Sequence, residues 1–162
     1  MKSKNILALE PYYGGSHKAW IDGWIQRSRH QFQLFTMPAR KWKWRMRGSA
    51  ITFAEQIQGN TTRWDGILMT DMMNLAEFLA LTRPRFSHVP TVLYMHENQL
   101  SYPLHPESQI DYHYALTNFI SIMAANRVVF NSKYNQTDFF EGIRNLLRKM
   151  PDYQPSIDTI DR

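Results

Sequence analysis

Short apolar runs that stop at polar residues, each followed by a helix-length amphipathic stretch, recur along the whole chain. That alternation leaves few folds open. Ile6-Leu7-Ala8-Leu9 runs into a Pro-Tyr-Tyr-Gly-Gly turn, Phe32 to Met37 stops at Pro38, and Ile67-Leu68-Met69 ends at Thr70-Asp71. Thr91 to Met95 is entered through Pro90, and Arg127 to Phe130 leads into Asn131-Ser132-Lys133. Runs this short and this apolar read as strands buried on both faces. Between them, Ser16 is expected to cap a helix carrying Trp20, Ile21, Trp24 and Ile25 on one side. Ser49 is expected to open a second, with Ala50, Phe53, Ala54 and Ile57 inward and Gly59-Asn60 closing it. Asn74 caps a third, with Leu75, Phe78 and Leu79 inward. A fourth starts near Asp111 with Leu116, Phe119, Ile120 and Met123 on its buried stripe. Phe139, Ile143, Leu146 and Leu147 mark a fifth, ended by Pro151. The order predicts an α/β fold: a Rossmann-like parallel sheet with helices on both faces.

Ligands of such sheets bind beyond the carboxyl ends of the strands. The polar residues of this chain fall there, in four separate loops: Tyr12 to His17, Thr70-Asp71, His96-Glu97-Asn98 and Asn131-Ser132-Lys133. A length of 162 residues suits one domain, read as 1–150, with 151–162 as a linker. The hydrophobic share of 43% supports a packed core and argues against disorder. Cysteine is absent, which excludes disulfides and thiolate metal sites. A formal charge of +5 favours anionic partners such as nucleotides or RNA. With no secretory leader and no apolar stretch of membrane-spanning length, the expectation is a soluble, cytoplasmic protein without a membrane partner.

Gly14 and Gly15, with Ser16, follow the first strand and precede a helix, a place where backbone N–H groups can face a phosphate. A plain tight turn explains the same glycines, because the loop is neither GxGxxG nor GxxxxGK[ST]. His96 and Glu97 form a candidate proton-handling or sugar-binding pair. Asp71 can accept from acceptor hydroxyls or cap the following helix, and the sequence does not choose. Arg40, Lys41, Trp42, Lys43, Trp44, Arg45 and Arg47 alternate cations with aromatics. Read as an extended loop, that stretch offers charge to RNA phosphates and rings to bases; the alternative is tryptophans packed inward with the cations solvated. Tyr102 either stacks on a sugar or base or plugs its own loop. His96, His105 and His113 do not have the spacing of a helical metal pair, and no metal is expected.

The segments Glu10-Pro-Tyr-Tyr-Gly-Gly-Ser-His17, Lys41-Trp-Lys-Trp-Arg-Met-Arg-Gly-Ser-Ala50, Thr70-Asp71 with Asn74-Leu-Ala-Glu-Phe78, His96-Glu-Asn-Gln-Leu100 and Phe130-Asn-Ser-Lys-Tyr-Asn135 together carry a resemblance. They resemble the N-terminal domain of the tRNA-queuosine mannosyltransferase-like proteins, a branch of the retaining family-four GT-B glycosyltransferases. The resemblance implies one lobe of a GT-B architecture. It implies mannose transfer from a nucleotide-sugar, GDP-mannose, to queuosine in tRNA, with no other cofactor and no bound metal. It also implies a C-terminal donor-binding domain that this chain lacks, so the fragment alone is expected to be inactive. On this reading Gly14, Gly15 and Ser16 face the donor diphosphate, and His96 and Glu97 are catalytic. His17, Asp71, Asn98, Tyr102, Asn131, Ser132 and Lys133 line the acceptor and sugar. A non-catalytic nucleotide- or RNA-binding module is the competing function. A flavodoxin-like or response-regulator-like domain ranks last, because Glu10 alone does not supply an acidic cluster after the first strand.

Overall fold

A computed structural model of the chain describes residues 2–101, 111–152 and 154–155. Five strands, β1 (Asn5–Tyr13), β2 (Gln31–Pro38), β3 (Gly66–Thr70), β4 (Thr91–Met95) and β5 (Arg127–Phe130), alternate with five helices. The helices are α1 (Gly15–Arg27), α2 (Trp42–Ile57), α3 (Leu75–Leu81), α4 (Tyr112–Ala124) and α5 (Lys133–Leu147). All strand pairs are parallel, in the order β2-β1-β3-β4-β5. The expected parallel α/β fold is therefore present. The chain reverses direction across the sheet between β1 and β3, and a crevice opens at that switch point in doubly wound sheets.

Alternation along the strands sorts the core into two layers. Leu7, Leu9, Ile67, Met69, Leu93 and Met95 face α2, α4 and α5, through Phe53, Ile57, Phe119, Phe139 and Ile143. Burying one such side chain fully stabilises the fold by about 1.5–3 kcal/mol. Ala8 and Leu68 point the other way, to Ile21 of α1.

Three local expectations are corrected. α1 is capped at Gly14 rather than Ser16, which is exposed. β1 does not stop at Leu9: it continues through Tyr13, with an irregularity in its pairing to β2 between Glu10 and Tyr13. α2 begins at Trp42, seven residues before Ser49. Ser49 is buried inside that helix, its hydroxyl donating to the Arg45 carbonyl at 2.6 Å. A fourth correction concerns the inward side of α4. Ile120 and Met123 are exposed, whereas Thr117, Asn118 and Ser121 are buried. Ser121 has backbone of a neighbouring helix to satisfy: Leu75 N donates to Ser121 Oγ at 3.0 Å, at the start of α3. Asn74 caps α3 as expected, accepting from Glu77 N, and α4 starts near Asp111 as expected, with the Asp111 side chain accepting from His113 N.

Candidate functional site

The carboxyl ends of β1, β3, β4 and β5 converge on one rim. Backbone bonds set the spacing: Asp71 N donates to the Tyr94 carbonyl and Asn131 N to the Met95 carbonyl, both at 3.1 Å. The Asn131 side chain also donates to the His96 carbonyl.

At the centre lies a buried polar cluster that begins with Glu10, which is fully buried. Its Oε1 accepts from Tyr12 N at 2.9 Å and meets His17 Nδ1 at 3.2 Å. The His17 ring stacks on His96 with centroids 3.9 Å apart and planes at 27°. Trp20 stacks on Tyr94 at 3.8 Å, and both rings meet His96 edge-on, at 5.1 and 4.7 Å. Asp71 is buried opposite, its Oδ2 accepting from Glu97 N at 3.1 Å. Asn74 caps α3, so Asp71 is not the cap of the following helix.

Burial and charge divide these groups. Burial, with the nearby His17 charge, lowers His96 to about 3, so its ring is neutral at physiological pH. For His17, burial pulls downward, but the Glu10 hydrogen bond and the charges of Glu10, Asp71 and Glu97 outweigh it, and its pKa is raised. Burial pushes Asp71 up to about 7, against the pull of His17 and of the Glu97 and His96 backbone N–H groups. Two facing imidazoles thus favour opposite protonation states, beside a carboxyl that titrates near neutrality. Such separation of neighbouring groups is what acid–base and hydroxyl-binding sites require. Glu10 Oε2, Asp71 Oδ1 and His96 Nε2 are buried without a partner among the described residues.

Gly14 is extended (φ −173°), and a methyl group there would lie 2.4 Å from Ala39 Cβ, so this glycine serves close packing. Gly15 has φ +52° and nothing within 4 Å of its Cβ position, which leaves its backbone open at the start of α1. Asn98 is buried, its Nδ2 donating to Asp138 Oδ2 at 2.7 Å; Ser101 Oγ donates to the same oxygen. One turn further, Gly142 leaves space for Leu100, whose Cδ1 would be 2.7 Å from a Cβ there. Asp138 and Gly142 thus clasp the β4–α4 loop to α5. Ser132 caps α5, accepting from Asn135 N at 3.1 Å, and exposed Lys133 donates to Gln136 Oε1 at 3.1 Å. Tyr102 and His105 lie outside the described residues, and His113 is exposed on α4.

The basic stretch is helical rather than extended. Lys41, in the left-handed region (φ 54°), precedes α2, and no side chain caps that helix N-terminus. Trp42 packs on Tyr114, with ring centroids 4.8 Å apart. Lys43 Nζ and the Arg47 guanidinium lie over Tyr114 at 6.0 and 5.4 Å, and Arg45 Nε donates to the Pro38 carbonyl at 3.1 Å. Trp44 points outward, 74% exposed, and Lys41, Lys43 and Arg47 are exposed beside it. Tyr12, Met46, Met72 and Tyr114 pack together beneath this segment, which places it on the same rim as the histidines.

Sequence reading missed Glu10, Trp20 and Tyr94 as parts of the site. With His17 and His96, Glu10 brings three metal-ligating side chains together, a different set from the three histidines weighed by spacing.

Fold and rim define a doubly wound α/β domain with a built polar site at its topological switch point. The chain belongs to the family described as tRNA-queuosine alpha-mannosyltransferase N-terminal, whose pattern matches residues 5–161. It is 36% identical over 151 residues to a tRNA-queuosine alpha-mannosyltransferase of Drosophila melanogaster. That alignment covers 93% of this chain and 40% of the relative, so the chain spans well under half of the relative's length. No solved structure matches.

Proposed function

We propose that the chain is the acceptor-side lobe of a retaining GT-B glycosyltransferase that moves mannose from GDP-mannose to queuosine in tRNA, in the cytoplasm. The observation that carries this reading is the buried cluster at the switch point. Neutral His96, titratable Asp71 and the unpartnered Glu10 oxygen lie in one buried polar cluster, and the Drosophila relative is named a tRNA-queuosine alpha-mannosyltransferase. In the reaction the bond from the anomeric carbon to the diphosphate oxygen breaks. A bond from that carbon to an acceptor hydroxyl oxygen forms on the same face of the sugar, and the hydroxyl proton leaves.

The leaving group is highly charged, so stabilising it dominates the barrier. Gly15 contributes its open backbone at the start of α1, and the rest of the charge comes from the C-terminal lobe of the whole protein. His96 and Asp71 orient sugar and acceptor hydroxyls, with Glu97, Asn98, Asn131 and Lys133 closing the wall. The cationic start of α2, with Trp44 outward, receives the RNA.

Full-length protein incubated with GDP-mannose and queuosine-containing tRNA is expected to yield a mannosylated nucleoside by mass spectrometry. Residues 1–162 alone are expected to yield none. Absence of product from the full-length enzyme, or turnover by the isolated chain, would overturn this division of labour. A non-catalytic RNA-binding module would bind the tRNA in both forms and modify it in neither.

A further inference from the structure

The basic surface at the start of α2 does not end with that helix. Side-chain contacts carry it across two other elements. Trp42 packs on Tyr114 of α4, and Lys43 and Arg47 lie over the same tyrosine. Tyr112, two residues earlier in the first turn of α4, is exposed. Lys149, just past the end of α5, sits 4.8 Å from the centre of that ring, and its Nζ donates to the Tyr112 hydroxyl at 3.0 Å. Cations and rings thus follow one another along a single band, from Trp42 through Tyr114 and Tyr112 to Lys149. Solvent reaches the band at Lys43, Trp44, Arg47, Tyr112 and Lys149. Its three stretches of chain hold Lys41, Lys43, Arg45, Arg47, Arg148 and Lys149 against a single carboxylate, Asp111. That carboxylate is engaged at the start of α4, accepting from His113 N at 3.0 Å. Compensation of the helix dipole accounts for a lysine at the carboxyl end of α5. It does not account for the exposed tyrosine joined to that lysine, or for Trp44 standing 74% exposed in the same band.

We propose that Tyr112, Arg148 and Lys149 form a second arm of the RNA interface, continuing the α2 contact so that one unpaired strand of the acceptor RNA lies along α2, α4 and α5. The proposal rests on the RNA-receiving role given above to the start of α2. The chemistry of the band selects the class of partner. Phosphates neutralise its cations, and its exposed rings stack on bases where those bases are not already paired. An acidic protein surface would use the charges and leave Trp44 and Tyr112 without a stacking partner, and so would a duplex. Lys149 and Tyr112 already hold each other in place, which lowers the cost of ordering them when the strand arrives.

The test is binding of queuosine-containing tRNA to the 162-residue chain, followed by gel shift from about 50 to 200 mM salt. Replacing Arg148 and Lys149 together with Ala should weaken binding and lower the salt slope by about 1.5 counterions. Tyr112→Ala should weaken it roughly fivefold or more, whereas Tyr112→Phe, which keeps the ring, should bind like the parent. Arg63→Ala removes an exposed cation ahead of β3, at the opposite ends of the strands, and should change neither affinity nor slope. Circular dichroism checks that each variant folds. A blunt RNA duplex should compete at least about tenfold more weakly than the tRNA. Unchanged affinity and slope in the folded Arg148 and Lys149 variant would overturn the second arm. The α2 contact survives that result if replacing Lys43, Arg45 and Arg47 still weakens binding. Equal competition by the duplex or by polyglutamate would overturn the unpaired strand as occupant, and a parent chain that binds no tRNA would overturn both arms.

Discussion

One absent methyl group holds two loops of the rim together. Gly14 needs no unusual backbone, since its φ of −173° is open to any residue; what it lacks is room, with Ala39 Cβ in the way. Gly14→Ala should therefore destabilise the chain by about 1–3 kcal/mol through overpacking. A urea midpoint unchanged within error would show that the Ala39 loop yields freely. Gly15 is the opposite case, open in space and held at positive φ. The sequence marks both glycines alike, because the difference lies in a contact with residue 39 that no local pattern encodes. Glu10 was illegible for a related reason. Beside Pro11 it reads as the first residue of a turn, and only the continuation of β1 through Tyr13 makes it a buried strand residue facing His17.

At the scale of elements, β4, β5, the cap at Asn74 and the start of α4 near Asp111 are as the sequence predicts, because proline entry, apolar runs and capping chemistry are local signals. The start of α2 was not legible. Cations alternating with tryptophans imitate a strand, although Met46, Ala50, Phe53 and Ile57 keep helical spacing. The helix changes how that segment can meet RNA. Lys43 and Arg47, four residues apart, share one side over Tyr114 while Trp44 stands apart, so charge and stacking surface are presented side by side. Replacing Lys43, Arg45 and Arg47 together with Ala should weaken tRNA binding and flatten its dependence on salt by up to about three counterions. Gel shifts across a salt series measure both, and an unchanged slope would place the RNA elsewhere. The α4 stripe misled in the other direction: burial of Ser121 serves the N–H of Leu75 at the start of α3, a tertiary demand invisible in periodicity.

For the whole molecule, buried Asp71 and half-buried His96 oppose each other as pH changes. His96 is lowered to about 3, so the unfolded chain takes up its proton first and stability falls as pH drops from about 6.5 toward 3. Asp71 is raised to about 7, so the folded chain holds that proton longer and stability falls as pH rises from about 3.8 to 7. Across the shared window the two slopes nearly cancel. Asp71→Asn removes one of them, and the variant's unfolding free energy should then decline on acidification from pH 6.5 to 4, by up to about 1.4 kcal/mol per pH unit. A flat profile in chemical denaturation over that range would show that His96 keeps its ordinary affinity for protons. The clasp to α5 has a mechanical consequence. Asn131 grips the His96 carbonyl just before the helix, while Asp138 and Gly142 hold Asn98, Ser101 and Leu100 along it. The 15-residue helix is a rod about 22 Å long. A tug or twist applied at its Leu147 end would be carried, as by a lever, to the His96 backbone at the other.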